Sequence, residues 1–513
     1  MKKRFLTGKW NIHKLGMILT AVYLLSLIPL LLMSWYNYPA ADDFSMALEV
    51  HRRYMESGSF WQTLAENISM TWYYYTKWMG YYTSDFLMSM PPSVFGERFY
   101  VLGTWLLLGM FSMGTIYFLR ALLVKAAGMN RDSVRCISMI VLFISVQCMQ
   151  EGTQRTEAFY WYAGAINYFF LYGVGLVYLG LLISAIYDSS AGKRRYDVIM
   201  AAIIGFLMGG ANFMSALCCA IISVMILGVI LLQHVERMRT WFAAEGMRLQ
   251  YINLLTVPTV LMLTGFACSC FAPGNRYRAA ALTTISPVKA VLMSLYYTLS
   301  YVIGDWTTWA VICLLLLTIP LFWHAASTSA FSFRHPFLVI LFLYAITSAA
   351  VTPPLYAEGN IGAGRIQSIF WAQYVLCIVL AIGYLTGWVH SRIRSTGQTV
   401  CEQGYLRQAE SRFLAAVMVL WLFGSLLSVG VNRYYYSATS AITDLLNGNA
   451  RTYAAQWQER YKVLQDESVK DVVVTDLTVK PELLFFSDIS QDADDWTNAA
   501  MCKYFDKDSI VRR

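Results

Sequence analysis

The chain has 513 residues, of which 57% are hydrophobic and 14% are charged, and its mean hydropathy is +0.48. This composition excludes a soluble enzyme, because so apolar a chain needs lipid as its solvent over most of its length. The net charge of +8 does not indicate nucleic-acid binding, because the basic residues lie in short segments between apolar runs and form no continuous patch.

Apolar runs near the roughly 20 residues that cross a bilayer recur along the chain and predict an α-helical polytopic membrane protein. Eleven transmembrane helices are predicted, at residues 15–35, 99–123, 136–150, 165–187, 198–212, 213–233, 251–271, 304–325, 337–352, 366–388 and 412–432. Two of them meet at residues 209–212, which favour a tight turn, with one broken helix as the alternative.

The distribution of Lys and Arg predicts a cytoplasmic N-terminus and an extracytoplasmic C-terminus. Segments placed on the cytoplasmic side hold 18 basic residues in 86 positions, and those placed outside hold 9 in 109. The N-terminal assignment depends on the basic residues before the first span: Lys2, Lys3, Arg4, Lys9 and Lys14.

Two parts of the chain are predicted to lie outside the membrane. Residues 1–432 form the transmembrane module, within which 36–98 are a long first extracytoplasmic loop. Residues 433–513 form a small extracytoplasmic α/β domain, with a helix at 438–465, strands at 471–475 and 483–486, and a short helix near 495–504.

No metal site and no cofactor are predicted. Most of the ten cysteines fall inside apolar runs, where they are typical of small core residues. The Gly-rich stretches follow no strand, and no Walker A motif occurs, so the usual nucleotide sites are not predicted either.

Asp42 and Asp43 follow the first span directly and are the candidate catalytic residues. Adjacent carboxylates at a membrane surface repel one another, and desolvation there raises their pKa values, which suits a general base. The alternative is an N-terminal cap for a helix that begins near Phe44. One acid can cap while the other does chemistry.

A set of outward basic residues is the candidate phosphate site: Arg276, Arg278, Lys289, Arg365 and Arg155. The segment 272–290 contributes three of them and contains no acid. It therefore departs from the rule that basic residues are concentrated on the cytoplasmic side, which the other segments follow. Guanidinium groups bind phosphate bidentately. Contact with ordinary lipid headgroups is the alternative.

Aromatic residues are concentrated at 72–82 and 159–162, each beside a predicted span. Such clusters are typical of the interfacial belt, and they also stack on sugar rings. Glu157, Asn167 and Tyr168 are placed to hydrogen-bond a sugar hydroxyl.

Taken together, these motifs make the chain resemble the membrane-embedded GT-C glycosyltransferases, and more narrowly a bacterial GtrII-like and DUF6056-like group. The resemblance spans the chain from the first span to the tail. It rests on Asp42-Asp43-Phe44, Glu157-Ala158-Phe159-Tyr160-Trp161, Gly164, Asn167-Tyr168, Pro273-Gly274-Asn275-Arg276, Gly364-Arg365, and the tail with Ser487-Asp488-Ile489, Trp496 and Asn498.

The resemblance implies a GT-C-like fold in a bacterial plasma membrane and an inverting transfer of a sugar from a polyprenyl-phosphate carrier to a glycan acceptor. It assigns the base to Asp42, with Asp43 next, and the donor phosphate to the basic set. It needs no metal. Sugar or acceptor contacts are expected from Glu157, Tyr160, Trp161, Asn167, Tyr168, Trp78 and Asn275.

The sequence departs from the family pattern at one place, since Trp78-Met79-Gly80 is followed by Tyr81 where similar sequences have an Arg. Two other functions also fit these features. A lipid-linked glycan flippase or transporter would use the outward basic residues as one end of a translocation path across the membrane. A glycan polymerase would transfer whole repeat units.

Overall fold

The computed structural model describes residues 10–244, 248–280, 284–394 and 405–513, so the basic residues of the first nine positions lie outside it. The first ten helices are α1 (Ile12–Met33), α2 (Asp42–Ser57), α3 (Phe60–Lys77), α4 (Tyr82–Met88), α5 (Val101–Leu119), α6 (Arg131–Gln147), α7 (Gly152–Phe159), α8 (Tyr162–Ala165), α9 (Leu171–Tyr187) and α10 (Ala191–Gly209). The next eleven are α11 (Phe213–Leu232), α12 (Glu236–Ala244), α13 (Thr256–Cys270), α14 (Gly274–Ala280), α15 (Pro287–Tyr301), α16 (Trp309–Ser327), α17 (Pro336–Glu358), α18 (Gly364–Arg394), α19 (Gln408–Val431), α20 (Ser437–Leu446) and α21 (Asn449–Leu464). Strand β1 (Asp471–Val474), helix α22 (Trp496–Phe505) and strand β2 (Ser509–Arg512) complete the chain.

Within the described ranges, nine helical segments are long and apolar enough to cross a membrane. They are Ile12–Tyr36, Glu97–Ala126, Tyr162–Tyr187, Phe213–Leu232, Leu249–Cys270, Trp309–Ser327, Pro336–Glu358, Gly364–Ile393 and Gln408–Val431. This confirms the prediction of an α-helical polytopic membrane protein, with fewer clear spans than the eleven predicted.

Two of the predicted spans account for the difference. Helix α6, at predicted span 136–150, is followed after a short break by α7 at an angle of 112°, so the pair forms a bent span or a re-entrant segment. Helix α10, at predicted span 198–212, begins at Ala191 and carries Lys193, Arg194, Arg195 and Asp197 near its start. These charges make α10 more polar than the nine helical segments that are apolar enough to cross a membrane.

The tight turn predicted at residues 209–212 is present. Asn212 caps α11, because its side-chain oxygen accepts a hydrogen bond from the Ser215 amide at 2.9 Å. A Cβ on Gly209 would lie 2.3 Å from the Phe266 nitrogen, so the close approach of α10 to α13 requires glycine here.

The predicted loop 272–290 is more ordered than expected, since it contains α14 and the start of α15. Helix α15 packs antiparallel against α17: the Ile285 amide donates to the Tyr356 carbonyl at 3.1 Å, and the Thr352 and Ser294 hydroxyls are 3.0 Å apart. At 15 residues, α15 is too short to have been recognised as a span.

The predicted first loop, residues 36–98, folds as α2, α3 and α4 against the ends of the long helices. The Thr83 amide donates to the Gly210 carbonyl at 2.9 Å, and the Tyr75 hydroxyl donates to the Cys268 carbonyl at 2.9 Å. We call this end of the helical bundle the Asp42 end, because α2 begins there.

The C-terminal segment packs on the same end, with Phe44 of α2 in edge contact with Tyr504 of α22 at 5.1 Å. Its predicted helix 438–465 is two helices, α20 and α21, separated at Gly448, where φ is 79°. Strand β1 pairs in parallel with β2. The strand predicted at 483–486 was wrong, because its first residues form a turn, and the true partner of β1 lies at the end of the chain.

Candidate functional site

Asp42 and Asp43 both lie in the first turn of α2, but Asp43 is held by the protein. The Asp43 side chain is 2% exposed, and three donors reach its carboxylate. Oδ2 accepts hydrogen bonds from the Tyr100 hydroxyl at 2.5 Å and from the Ala40 amide at 3.1 Å, and Oδ1 accepts one from the Ala163 amide at 2.8 Å. Asp43 therefore ties the start of α2 to the residue before α5 and to α8.

The Asp42 carboxylate is not committed in this way. No hydrogen bond from the described residues reaches it, and the side chain is half-buried. Burial raises the pKa of Asp42 above its ordinary value, and the positive charges of Arg365 and Arg278 oppose that rise. Two predicted phosphate-binding residues are therefore within electrostatic range of the predicted base.

The pKa of Asp43 is raised to about 7 by burial, against the three hydrogen bonds that lower it; the charge of Asp42 adds to the rise. Near neutral pH, the Asp43 carboxyl group is thus partly protonated. The alternative prediction, in which one acid of the pair caps a helix, is not confirmed: α2 begins at Asp42, and its capping residue is Ala41, which makes no side-chain cap hydrogen bond. Asp43 instead accepts from the Ala40 amide, which precedes the helix.

Arg365 lies at the start of α18 and is held against α7 and the segment 161–168 that leads to α9. Its amide and its Nη1 donate to Glu157 Oε2 at 2.9 and 3.2 Å. The guanidinium lies 5.1 Å from the centroid of the Trp161 ring and beside the Tyr168 hydroxyl. The side chain remains 30% exposed, so part of its donor set faces the site. Glu157 is consequently the partner of Arg365.

Gly364 permits this contact. A Cβ there would lie 2.9 Å from Gln154 Cα and 3.2 Å from Glu157 Oε1. Only a residue without a side chain lets α18 begin so close to α7.

Arg278 reaches the site from α14. Its guanidinium lies 5.8 Å from the Trp78 ring, which is in edge contact with Tyr74 at 5.7 Å. Asn275 fixes the segment, because its side chain accepts from the Gly80 amide at 2.9 Å and donates to the Ser269 carbonyl at 2.7 Å. Asn275 is thus bound to backbone and not turned to a sugar as predicted.

The aromatic side chains that were predicted to contact a sugar mostly pack inside the protein. Trp161 is 3% exposed, donates to the Ala40 carbonyl at 3.0 Å, and stacks on Phe486 at 3.9 Å. The Tyr160 hydroxyl donates to the Leu30 carbonyl at 3.0 Å and is buried. Neither ring offers a free face for a sugar in this conformation.

Asn167 lies in the same span as Tyr168 and keeps an unused acceptor. Its carbonyl oxygen Oδ1 is buried and has no hydrogen-bond partner among the described residues, whereas its backbone carbonyl accepts from the Asn212 side chain at 2.6 Å. An unpaired buried acceptor is costly unless a ligand or water satisfies it. The role of Asn167 in sugar binding stays a prediction.

The structure gives Arg155 a role other than the predicted one. The residue is 1% exposed, and its guanidinium donates to four backbone carbonyls, those of Met149, Gln150, Tyr434 and Tyr435, at 2.6–3.1 Å. These bonds join the bend between α6 and α7 to the start of the C-terminal segment. The fifth N–H donor is on Nη1, which lies 3.8 Å from Glu482 Oε2, so the guanidinium is committed to the protein and not turned to a phosphate.

The last two predicted basic residues are exposed. Arg276 lies on α14 two positions before Arg278, but only Arg278 is within electrostatic range of Asp42. Lys289, in the first turn of α15, lines a shallow cavity of about 480 Å³ together with Leu292 and Tyr296. The basic set is thus divided, with Arg278 and Arg365 facing the acid.

Two contributors to the site, Tyr100 and Phe486, were not predicted, and Tyr74 was predicted only as a member of the aromatic cluster at 72–82. Tyr100 binds Asp43 across 57 positions of sequence, so no local pattern reveals it. Phe486 covers Trp161 from the C-terminal segment, beside the tail motif that carries part of the resemblance. Tyr74 lies within electrostatic range of Asp42 and of the fully buried Asp85.

No family model, curated protein or solved structure matches this chain. Among the described residues, none donates a hydrogen bond to the half-buried Asp42 carboxylate, which lies within electrostatic range of two guanidinium groups, one carried by α14 and one by α18. That arrangement suits proton abstraction beside a bound anion.

Proposed function

We propose that this protein is a membrane glycosyltransferase that moves a sugar from a polyprenyl-phosphate carrier to a glycan acceptor with inversion. One observation carries the proposal: Asp42 has no hydrogen-bond partner among the described residues and lies within electrostatic range of Arg278 and Arg365, while its neighbour Asp43 is fixed by three donors. The resemblance to the GT-C enzymes names the reaction.

In the proposed reaction, Asp42 accepts the proton of an acceptor hydroxyl. The hydroxyl oxygen forms a bond to the anomeric carbon as the bond from that carbon to the donor phosphate breaks. The phosphate leaves with the bonding electron pair and stays on its lipid. Arg278 and Arg365 would stabilise the negative charge that grows on it, since guanidinium groups pair with phosphate oxygens.

The proposal places the site on the extracytoplasmic face of a bacterial plasma membrane, with the N-terminus in the cytoplasm. The support is that α2, α4, the 209–212 turn and the C-terminal segment all meet at the Asp42 end, which the charge distribution assigns to the outside.

The test is to extract lipid-linked sugars from cells with the gene, without it, and with Asp42→Asn or Arg278→Gln, and to analyse them by mass spectrometry. Deletion and both variants should accumulate the same sugar lipid, and Arg276→Gln, an exposed residue of the same helix, should not. Wild-type product levels with Asp42→Asn would remove the base assignment.

A second measurement separates the competing functions. The purified protein in vesicles should convert the sugar lipid to carrier phosphate when an acceptor is present. Movement of the intact sugar lipid between leaflets, with no conversion, would identify a flippase. Products that grow by whole repeat units would identify a polymerase.

A further inference from the structure

Helix α3 exposes large apolar residues and buries small polar ones. Trp61, Ile68 and Trp72 are 75%, 58% and 66% exposed, and their spacing of seven and four residues places them on one face of the helix. Thr63 and Asn67, on the other side, are 0% exposed. A helix that faces water shows the reverse pattern. The outward face of α3 is therefore not built for water.

The C-terminal end of α3 rests on the end of a membrane span. The Tyr75 hydroxyl donates to the Cys268 carbonyl at 2.9 Å, and a Cβ on Gly80 would lie 2.0 Å from the Ser269 carbonyl oxygen. Both contacts are to the last turn of α13. Helix α3 is thus fixed at the level at which this span ends.

The span below it presents an apolar surface outward. Val257 and Val260 of α13 are 57% and 45% exposed, and Phe271, which follows its last turn, is 86% exposed. In a polytopic membrane protein such a surface faces lipid tails. The exposed stripe of α3 begins where this lipid-facing surface ends.

We infer that α3 lies along the membrane surface and inserts Trp61, Ile68 and Trp72 at the boundary between headgroups and acyl chains. Tryptophan concentrates at that boundary, and a helix with one apolar face binds there by burying it. Lys77, exposed at the end of α3, is placed for contact with anionic headgroups. The occupant of the stripe is the bilayer and not a second protein.

The insertion does not depend on the proposed function, but it has a consequence for it. Tyr74 of α3 and Trp78, which follows its last turn, belong to the candidate site. An α3 seated in the membrane surface would hold the site at headgroup height, where a lipid-linked phosphate is presented.

The test is spin labelling of the full chain in nanodiscs. Single cysteines replace Trp61, Ile68 or Trp72 in a chain with Cys268→Ser and Cys270→Ser, and the chain without an introduced cysteine is the blank. Arg53→Cys, at an exposed polar position of α2, is the matched control. Collision rates with oxygen, which partitions into lipid, and with a water-soluble nickel chelate are then measured.

Labels at the three stripe positions should collide more with oxygen than with the chelate, and the label at position 53 should show the opposite. Chelate collisions at the stripe equal to those at position 53 would overturn the inference. Low collision rates with both probes that rise when each nanodisc holds only one chain would also overturn the inference. They would show that a second copy of the chain covers the stripe. The rate at which the labelled chains convert the sugar lipid to carrier phosphate is measured as well. A normal rate shows that the result for α3 is independent of the proposed function.

Discussion

The Tyr100 hydroxyl donates a 2.5 Å hydrogen bond to Asp43 Oδ2, and this bond joins the start of the second span to the helix that carries the candidate base. Because Asp43 also accepts from two backbone amides, its carboxylate is part of the framework. Asp42 is left uncommitted one residue earlier. Two adjacent acids of the same type thus have different hydrogen-bonding surroundings.

Above pH 7, where the Asp43 carboxylate is charged, Tyr100→Phe should destabilise the protein by roughly 1.5–3 kcal/mol, since a hydrogen bond to a charged group contributes about that much. Thermal unfolding of the purified protein measures the loss. Tyr178→Phe is a matched control, because it removes a buried hydroxyl that pairs with Ser223 and does not touch an acid. An equal loss in the two variants would contradict a special role for the Asp43 bond.

Stability should fall as pH rises from about 4 to about 7. The folded-state pKa of Asp43 is about 7, above the ordinary 3.8 of the unfolded chain, so the folded protein binds the proton more tightly. This contribution is full below the unfolded pKa and is lost as pH passes the folded one. Asp43→Asn should flatten the slope, and unfolding measured across this pH range tests it. An unchanged slope would mean that another group sets it.

Arg278→Gln should move the acidic limb of the pH–rate profile of sugar transfer to higher pH. The charge of Arg278 lowers the pKa of Asp42, so its removal makes the base harder to ionise. Arg276→Gln removes the same charge from the same helix without facing Asp42, and its profile should stay in place. Equal shifts in both variants would indicate a general charge effect.

Gly364→Ala should destabilise the Asp42 end by about 1–3 kcal/mol, the usual cost of forcing extra volume into a packed site. The new methyl group would meet Gln154 backbone atoms at 2.9–3.0 Å and push Arg365 away from Glu157. Gly109→Ala is the control, since nothing lies within 4 Å of its Cβ position. Thermal unfolding compares the two, and an equally stable Gly364→Ala chain would contradict the close contact.

Arg155→Gln should loosen the C-terminal segment, because Met149, Gln150, Tyr434 and Tyr435 would each lose a donor for a backbone carbonyl. An unsatisfied buried group costs about 1–3 kcal/mol. Limited proteolysis should cut between α19 and α20 sooner than in the wild type. Arg433→Gln, exposed beside the same carbonyls, should leave the rate unchanged.

The sequence by itself determined the class of the protein and the order of most of its helices, because apolar runs of membrane length are set by local composition. It also determined which residues could do the chemistry: acids after the first span and arginines where the charge rule predicts few. It ended the third span at residue 150, close to the bend, but it did not predict that α7 forms there or that α15 is a helix, because both depend on packing against other helices.

Only the tertiary structure decided which of these residues act together. Asp42 and Asp43 are equivalent by position, and the distant donors that distinguish them are Tyr100, just before α5, and the Ala163 amide in α8. Arg155 and Arg365 look alike in the sequence, yet one is bound to four carbonyls inside the fold and the other keeps part of its guanidinium exposed. Hydrogen bonds between distant segments produce these differences. Such bonds depend on the three-dimensional fold and cause no periodic pattern in the sequence, so the sequence does not predict them.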